Sequence, residues 1–218
     1  MDYDKLAAMV EEMKAHEGQV RQDAHRPIFH FLPPANWMND PNGLIQWKGE
    51  YHLFYQHNPN GAFWGTMHWG HARSRDLTHW EHLPLALAPD EGGCDKDGVF
   101  SGCCVDNGGV PTILYTGVRP QTQCVATGDG EMIRWTKHAG NPVIARPPEG
   151  FPAGNFRDPC VWREGREWLM AVGSGDEAMN GAVLLYRSED LTRWEYLHPL
   201  LRGEPGMSAP VGSARMWE

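Results

Sequence analysis

Hydrophobic spacing along the chain changes once, near Pro27. Before it, Leu6, Met9, Val10 and Met13 recur at helical intervals among charged residues, which predicts a short amphipathic helix. Such a helix would pack on the following domain as a lid or brace, a partner-binding helix being the alternative. After Pro27 the helical period gives way to short apolar runs of strand length, separated by polar turns. The clearest hairpin is Leu44–Trp47, a Lys48-Gly49-Glu50 turn, then Tyr51–Gln56. Val105, a turn over Asp106–Gly109, and Thr112–Tyr115 repeat that design, and so do Cys160–Trp162, a turn over Arg163–Arg166, and Trp168–Val172.

A longer repeat overlies the hairpins. Ser74-Arg75-Asp76-Leu77-Thr78-His79-Trp80-Glu81 matches Ser188-Glu189-Asp190-Leu191-Thr192-Arg193-Trp194-Glu195, and Gly130–Thr136 is a weaker copy. Each unit reads as an inner strand, its hairpin partner, a third strand and an outer strand bearing Trp. Four strands in about 55–60 residues is the pattern of a β-propeller blade. Units start near residues 37, 99 and 156, and a fourth would begin around Trp217-Glu218. The division expected is a helix and linker over 1–26 and a partial propeller over 27–218. Three blades leave two sheet faces uncovered. The chain is therefore expected to be the N-terminal portion of a longer protein, inactive and poorly folded or self-associating by itself.

Composition narrows the classes of function. The 218 residues carry a net charge of −9 with no basic cluster, which excludes nucleic acid and anionic membrane surfaces as expected partners. Residues 1–22 never reach an apolar run, so neither a secretory signal nor a membrane span is expected. The five cysteines, Cys94, Cys103, Cys104, Cys124 and Cys160, are odd in number and lack a Cys-x-x-Cys pair. They read as free thiols in a reducing compartment, hence a cytoplasmic protein. His68, His71, His79 and His82 are read as alternating along strands with Trp69, Trp80 and Leu83, and no metal is expected. Without a Gly-rich phosphate loop or a dinucleotide fingerprint, no cofactor is expected either. Most of the ten Trp are assigned to packing, with some presenting flat faces to sugar rings.

The candidate chemistry lies at the unit starts. Asp40, Asp158 and Glu218 are separated by 118 and 60 residues, and Ser101 falls 61 after Asp40. Radial repetition brings such residues to one axis. Converging carboxylates are what glycoside hydrolysis needs. Each also has a plain structural reading: Asp before Pro starts turns, Asp158 could simply pair with Arg157, and Trp64 could simply pack.

The motifs resemble those of glycoside hydrolase family 32, the invertases and fructanases. They are Trp37-Met38-Asn39-Asp40-Pro41-Asn42-Gly43, Phe100-Ser101-Gly102, Arg157-Asp158-Pro159 and Trp217-Glu218. The resemblance runs from about His30 to Glu218. It departs at Cys103, where many relatives have a small hydroxyl residue, and the chain stops before the Cys-Pro that normally follows the last motif. It implies a five-bladed all-β propeller of which about three blades are present. It also implies Asp40 as nucleophile, Glu218 as general acid/base, and Asp158 as the acid that grips the fructosyl hydroxyls. Asn39, Gln56, Trp64 and Ser101 match positions lining the fructose pocket, and Arg157 would steer Asp158 or donate to a hydroxyl. Gln56 ends an apolar strand, which suggests an amide aimed at the axis, and an Asn beside Asp40 is expected to hold its carboxylate. A nucleophile and an acid roughly 5–5.5 Å apart would retain anomeric configuration.

The expected activity is therefore a retaining β-fructofuranosidase acting on sucrose or sucrose-6-phosphate. A fructan hydrolase or fructosyltransferase is the alternative within the enzyme class, and a non-catalytic sugar-binding propeller the alternative outside it. The expected partner is a small sugar, and oligomeric state is left open.

Overall fold

Residues 1–175 and 180–203 are described by the computed structural model of the chain. One helix, α1 (Tyr3–Val20), precedes three antiparallel sheets. The first holds β1 (Trp37–Trp47), β2 (Glu50–Asn58), β3 (His68–Ser74) and β4 (Glu81–Leu87). The second holds β5 (Val99–Asp106), β6 (Pro111–Gly117), β7 (Thr122–Gly128) and β8 (Trp135–Lys137). The third holds β9 (Phe156–Glu164), β10 (Glu167–Gly175), β11 (Gly181–Ser188) and β12 (Glu195–Arg202). Strand order in every sheet follows the chain. β1 packs against β5 and β5 against β9, so the first strand of each sheet faces the first strand of the next. These are three consecutive blades of a propeller, and the sequence unit is the blade.

The hairpins form where expected. Between β1 and β2 only Lys48 and Gly49 turn the chain, with φ of 48° and 83°. Positive φ at both central residues is the two-residue turn that matches strand twist. Gly49 meets that demand without a Cβ clash.

Two apolar layers hold the blades together. Phe54, Trp69, Val99, Ile113, Tyr115 and Trp135 fill the space between the first and second blades. Leu114, Val125, Phe156, Met170, Val172 and Leu184 fill the next. Successive residues of β6 therefore go to opposite layers, Ile113 and Tyr115 to one and Leu114 to the other. Its whole length is buried. Burial on both faces explains why the middle strands read as continuous apolar runs rather than alternating ones.

The Ser-x-Asp-Leu-Thr-x-Trp copies are turns, and this corrects the expectation of Trp-bearing outer strands. Trp80 and Trp194 precede β4 and β12, and only Trp135 belongs to a strand, as its first residue. The Ser74 hydroxyl accepts the Leu77 N–H at 2.9 Å, and the Asp76 carboxylate accepts those of Thr78 and His79 at 2.9 and 2.8 Å. Ser188 and Asp190 repeat these bonds to Leu191, Thr192 and Arg193. Leu77 and Leu191 sit at φ of 64° and 65°, and their carbonyls accept the indole N–H of Trp80 and Trp194. The motif repeats because the same strained turn needs the same side chains to satisfy its backbone. His79 likewise lies in the first turn, bonded to Asp76 at 2.7 Å, rather than on a strand.

α1 is a brace. The Asp2 side chain caps it by accepting the Lys5 N–H at 3.2 Å. Leu6, Val10 and Met13 bury against Leu85 of β4. Tyr3 reaches the second blade, where its hydroxyl accepts the Trp135 N–H at 2.6 Å and donates to the Trp135 carbonyl at 2.8 Å. Burial raises the Tyr3 hydroxyl well above its ordinary pKa, so it stays a neutral donor. Tyr3→Phe leaves both Trp135 backbone groups unsatisfied. It should lower stability by about 1–3 kcal/mol, read as a reduced denaturation midpoint at unchanged cooperativity.

Candidate active site

Every inner strand breaks its ladder at the motif residue. In β1, Met38 pairs with His57 and Pro41 with Tyr55, leaving Asn39 and Asp40 opposite Gln56 alone. In β5, Phe100 pairs with Thr116 and Gly102 with Tyr115, so Ser101 is the extra residue. In β9, Ala171 pairs with Cys160 and Gly173 with Arg157, leaving Asp158 and Pro159 opposite Val172. A bulge bends its strand and re-aims a side chain. A proline is tolerated there because a ladder donor is already lost. Gly102 is required for a different reason: a Cβ at that position would collide with the Leu114 carbonyl oxygen across the bulge. Asp158 takes φ of 61°, a left-handed conformation uncommon for a residue other than glycine.

These bulges bring three of the expected residues together. The Ser101 hydroxyl donates to Asp40 Oδ2 at 2.9 Å, joining the first blade to the second. Asp158 is only 14 % exposed at its side chain, with Arg157 Nε 3.7 Å from Oδ2. Arg157 also donates to Asn155 Oδ1 at 3.2 Å. Burial pushes the Asp158 carboxyl up to about 7, with Arg157 opposing the rise and the charge of Asp40 adding to it. Desolvation outweighs the ion pair with Arg157. The three consecutive blades thus present an Asp40 carboxyl bound by a hydroxyl, near enough for its charge to add to the raised pKa of the buried Asp158. Acid–base chemistry on a polar ligand can use that pairing.

The other expected residues are placed as follows. Asn39 is exposed, and its Oδ1 accepts the Trp37 indole N–H at 2.8 Å. Asn42 is buried with neither amide atom hydrogen-bonded. The expectation that a neighbouring Asn holds Asp40 is therefore corrected: Ser101 of the next blade does so. Gln56 is 2 % exposed and donates its amide to the Val99 carbonyl of the second blade at 3.0 Å. Trp64 is 54 % exposed and meets Phe100 edge-on, with centroids 6.2 Å apart. Glu218 lies outside the described residues.

Reading the sequence did not single out Thr116, Gln123 or Asn155. The available signal was that Thr116 and Gln123 are polar residues flanking the apolar runs Ile113–Tyr115 and Cys124–Ala126.

Three consecutive four-stranded blades, each with a bulge on its inner strand at a polar motif residue, define the class: an all-β propeller. Residues 30–218 match the N-terminal domain of the glycosyl hydrolases family 32, and the chain belongs to that family. It is 45 % identical to the sucrose-6-phosphate hydrolase of Escherichia coli over 94 % of this chain and 42 % of that protein. It is 43 % identical to the levanase of Bacillus subtilis, over 88 % of this chain and 28 % of that one. Among solved structures, a β-fructofuranosidase of Bombyx mori superposes with a TM-score of 0.83 at 38 % identity, covering 95 % of this chain and 45 % of the other. Fructan 1-exohydrolase IIa of Cichorium intybus gives 0.79 at 38 % identity, over 84 % and 36 %. The chain spans about two fifths of the length of the sucrose-6-phosphate hydrolase it matches.

The raised Asp158 carboxyl has a sign in stability. The unfolded chain releases this proton near the ordinary aspartate value of 3.8, and the folded chain near 7. Between those pH values the folded state binds more protons, so this group's contribution to stability falls as pH rises. Asp158→Asn removes that dependence. The variant should melt above the parent at pH 8, by a margin bounded at about 4 kcal/mol, and the margin should vanish near pH 4. Equal melting temperatures at both pH values would show that Asp158 is not held in its protonated form.

Proposed function

We propose that the protein is a retaining β-fructofuranosidase acting on sucrose or sucrose-6-phosphate. The observation that carries this reading is the Ser101–Asp40 hydrogen bond facing the buried Asp158 across adjoining blades. The relatives support it, since they are named as sucrose-6-phosphate hydrolases and as a raffinose invertase. Asp40, kept in place by Ser101, attacks the anomeric carbon of the fructosyl ring while Glu218 delivers a proton to the departing glycosidic oxygen. Water, deprotonated by Glu218, then releases fructose from the ester on Asp40 with net retention. Asp158 and Arg157 bind the ring hydroxyls, and these bonds strengthen as the ring flattens toward the oxocarbenium-like transition state. Trp64, presented beside Phe100, closes one wall against the sugar, with Asn39 and Gln56 completing the polar lining.

The levanase relative and the fructan exohydrolase structure favour a fructan as the second reading for the substrate. The same reading places the protein in the cytoplasm. Its five thiols are free, although the Cys94 and Cys124 sulphurs lie only 3.3 Å apart. Among the described residues no helix is long and apolar enough to cross a membrane.

Proton NMR of the full-length protein with sucrose, sucrose-6-phosphate and inulin tests the proposal. Initial release of β-configured fructose is expected from one of the first two. Asp40→Asn should lower kcat by a factor on the order of 10⁴ or more while leaving the melting temperature near that of the parent. Oligosaccharides appearing ahead of free fructose at high sucrose would make it a transferase. Sugar binding without turnover of any of the three would leave a non-catalytic binding propeller.

A further inference from the structure

The bulge that displaces Asp158 from its own ladder leaves its N–H without a strand partner, and the second blade supplies one. The Asp158 N–H donates to Thr116 Oγ1 at 3.0 Å. The same hydroxyl donates to Gln123 Oε1 at 3.0 Å, and Gln123 Nε2 donates to the Phe156 carbonyl at 2.9 Å. Thr116 and Gln123 are opposite each other in the β6–β7 ladder and have no exposed surface. The result is a closed bracket whose two arms grip the chain on either side of Arg157. Every member has a fixed sense: the hydroxyl accepts from one side and donates to the other, and the amide must present oxygen to Thr116 and nitrogen to Phe156.

We propose that Thr116 and Gln123 are positioning residues that hold Asp158 in its left-handed conformation and so aim its carboxyl at Asp40 and at the sugar. This rests on the fructosidase reading given above. Neither side chain touches substrate; each acts through the backbone of β9. A left-handed residue other than glycine persists only when its surroundings over-determine it, and the bracket is the surrounding here. Buried polar atoms with no water to replace a lost partner make the restraint stiff. Without it the Asp158 backbone relaxes toward an ordinary strand conformation and the carboxyl turns away from Asp40 toward solvent.

The test compares Thr116→Val, isosteric but unable to accept or donate, with Thr116→Ser, which keeps the hydroxyl, and with Gln123→Met, all in the full-length protein. Thr116→Val and Gln123→Met should lower kcat about 10- to 100-fold with KM changed by less than about three-fold, the pattern of a lost transition-state contact. The pH limb belonging to Asp158 should move downward by about half a unit or more as its carboxyl gains solvent. Thr116→Ser should restore kcat to within about three-fold of the parent. Carbon-13 NMR titration of the Asp158 carboxyl in the parent and in Thr116→Val reads the same shift without any substrate. It therefore decides the bracket even if the parent hydrolyses no β-fructoside, an outcome that overturns the functional reading instead. Folded Val and Met variants with parental kcat and an unmoved Asp158 titration would overturn the positioning role. Should both fail to fold, a folded Thr116→Ser that keeps the hydroxyl yet loses the raised Asp158 titration would overturn it as well.

Discussion

Burial of each sheet against its neighbour is the constraint on which the rest of this structure depends. A four-stranded sheet with two uncovered apolar faces does not hold its register in water. Here Trp69, Ile113 and Tyr115 close one face and Leu114, Phe156 and Met170 the other. Each such side chain contributes roughly 1.5–3 kcal/mol by leaving water, so the layers between blades dominate the strength of the fold. The same burial has a second effect. A polar group caught in those layers is costly unless it finds a partner inside the protein. Three find theirs in the adjacent blade: Gln56 reaches the Val99 carbonyl, Trp69 the Phe100 carbonyl, and Thr116 the Asp158 N–H.

Those interblade bonds all end at or next to a bulge on an inner strand. Packing between sheets and construction of the site are thus one event. The apolar layers bring the blades to contact distance, and the few polar residues within them set how each bulge is turned. Ser101 completes the arrangement by binding Asp40 directly. α1 reinforces it from outside, because Tyr3 ties the end of the first blade to Trp135 in the second.

The carboxyl pair shows what this rigidity allows. Asp158 is buried, and burial together with the charge of Asp40 outweighs the Arg157 guanidinium 3.7 Å away and raises its pKa to about 7. A freely moving side chain would turn to water and ionise at its ordinary value. Holding it in place stores unfavourable electrostatics within the folded state, and the interblade layers supply the stability that tolerates it. The Asp76 and Asp190 turns are the contrast. There, hydrogen bonds from backbone N–H groups and neighbouring side chains outweigh any desolvation and hold the carboxylate pKa far below the ordinary value, which favours the charged form.

Much of this was legible in the residues. Strand-length apolar runs with turn residues between them located the hairpins, and Gly49 marked a turn that only a positive φ can make. The interval between Asp40, Ser101 and Asp158 revealed the blade, because radial repetition returns equivalent positions to one axis. The Ser-x-Asp-Leu-Thr-x-Trp copies were visible as a repeat, but their meaning was not: side-chain bonds to a turn backbone leave the same sequence trace as a strand bearing Trp. Which side chain holds Asp40 was likewise beyond local reading, since Asn39 and Asn42 are near it in the chain and Ser101 is 61 residues away. Local order along the chain determined the elements, their repeat and the candidate acids, because periodicity and turn chemistry are short-range properties. The tertiary structure alone decided where the bulges point, what Tyr3, Gln56 and Thr116 bind, and which acid keeps its proton. Those depend on contacts between blades, and such contacts exist only after the sheets have packed.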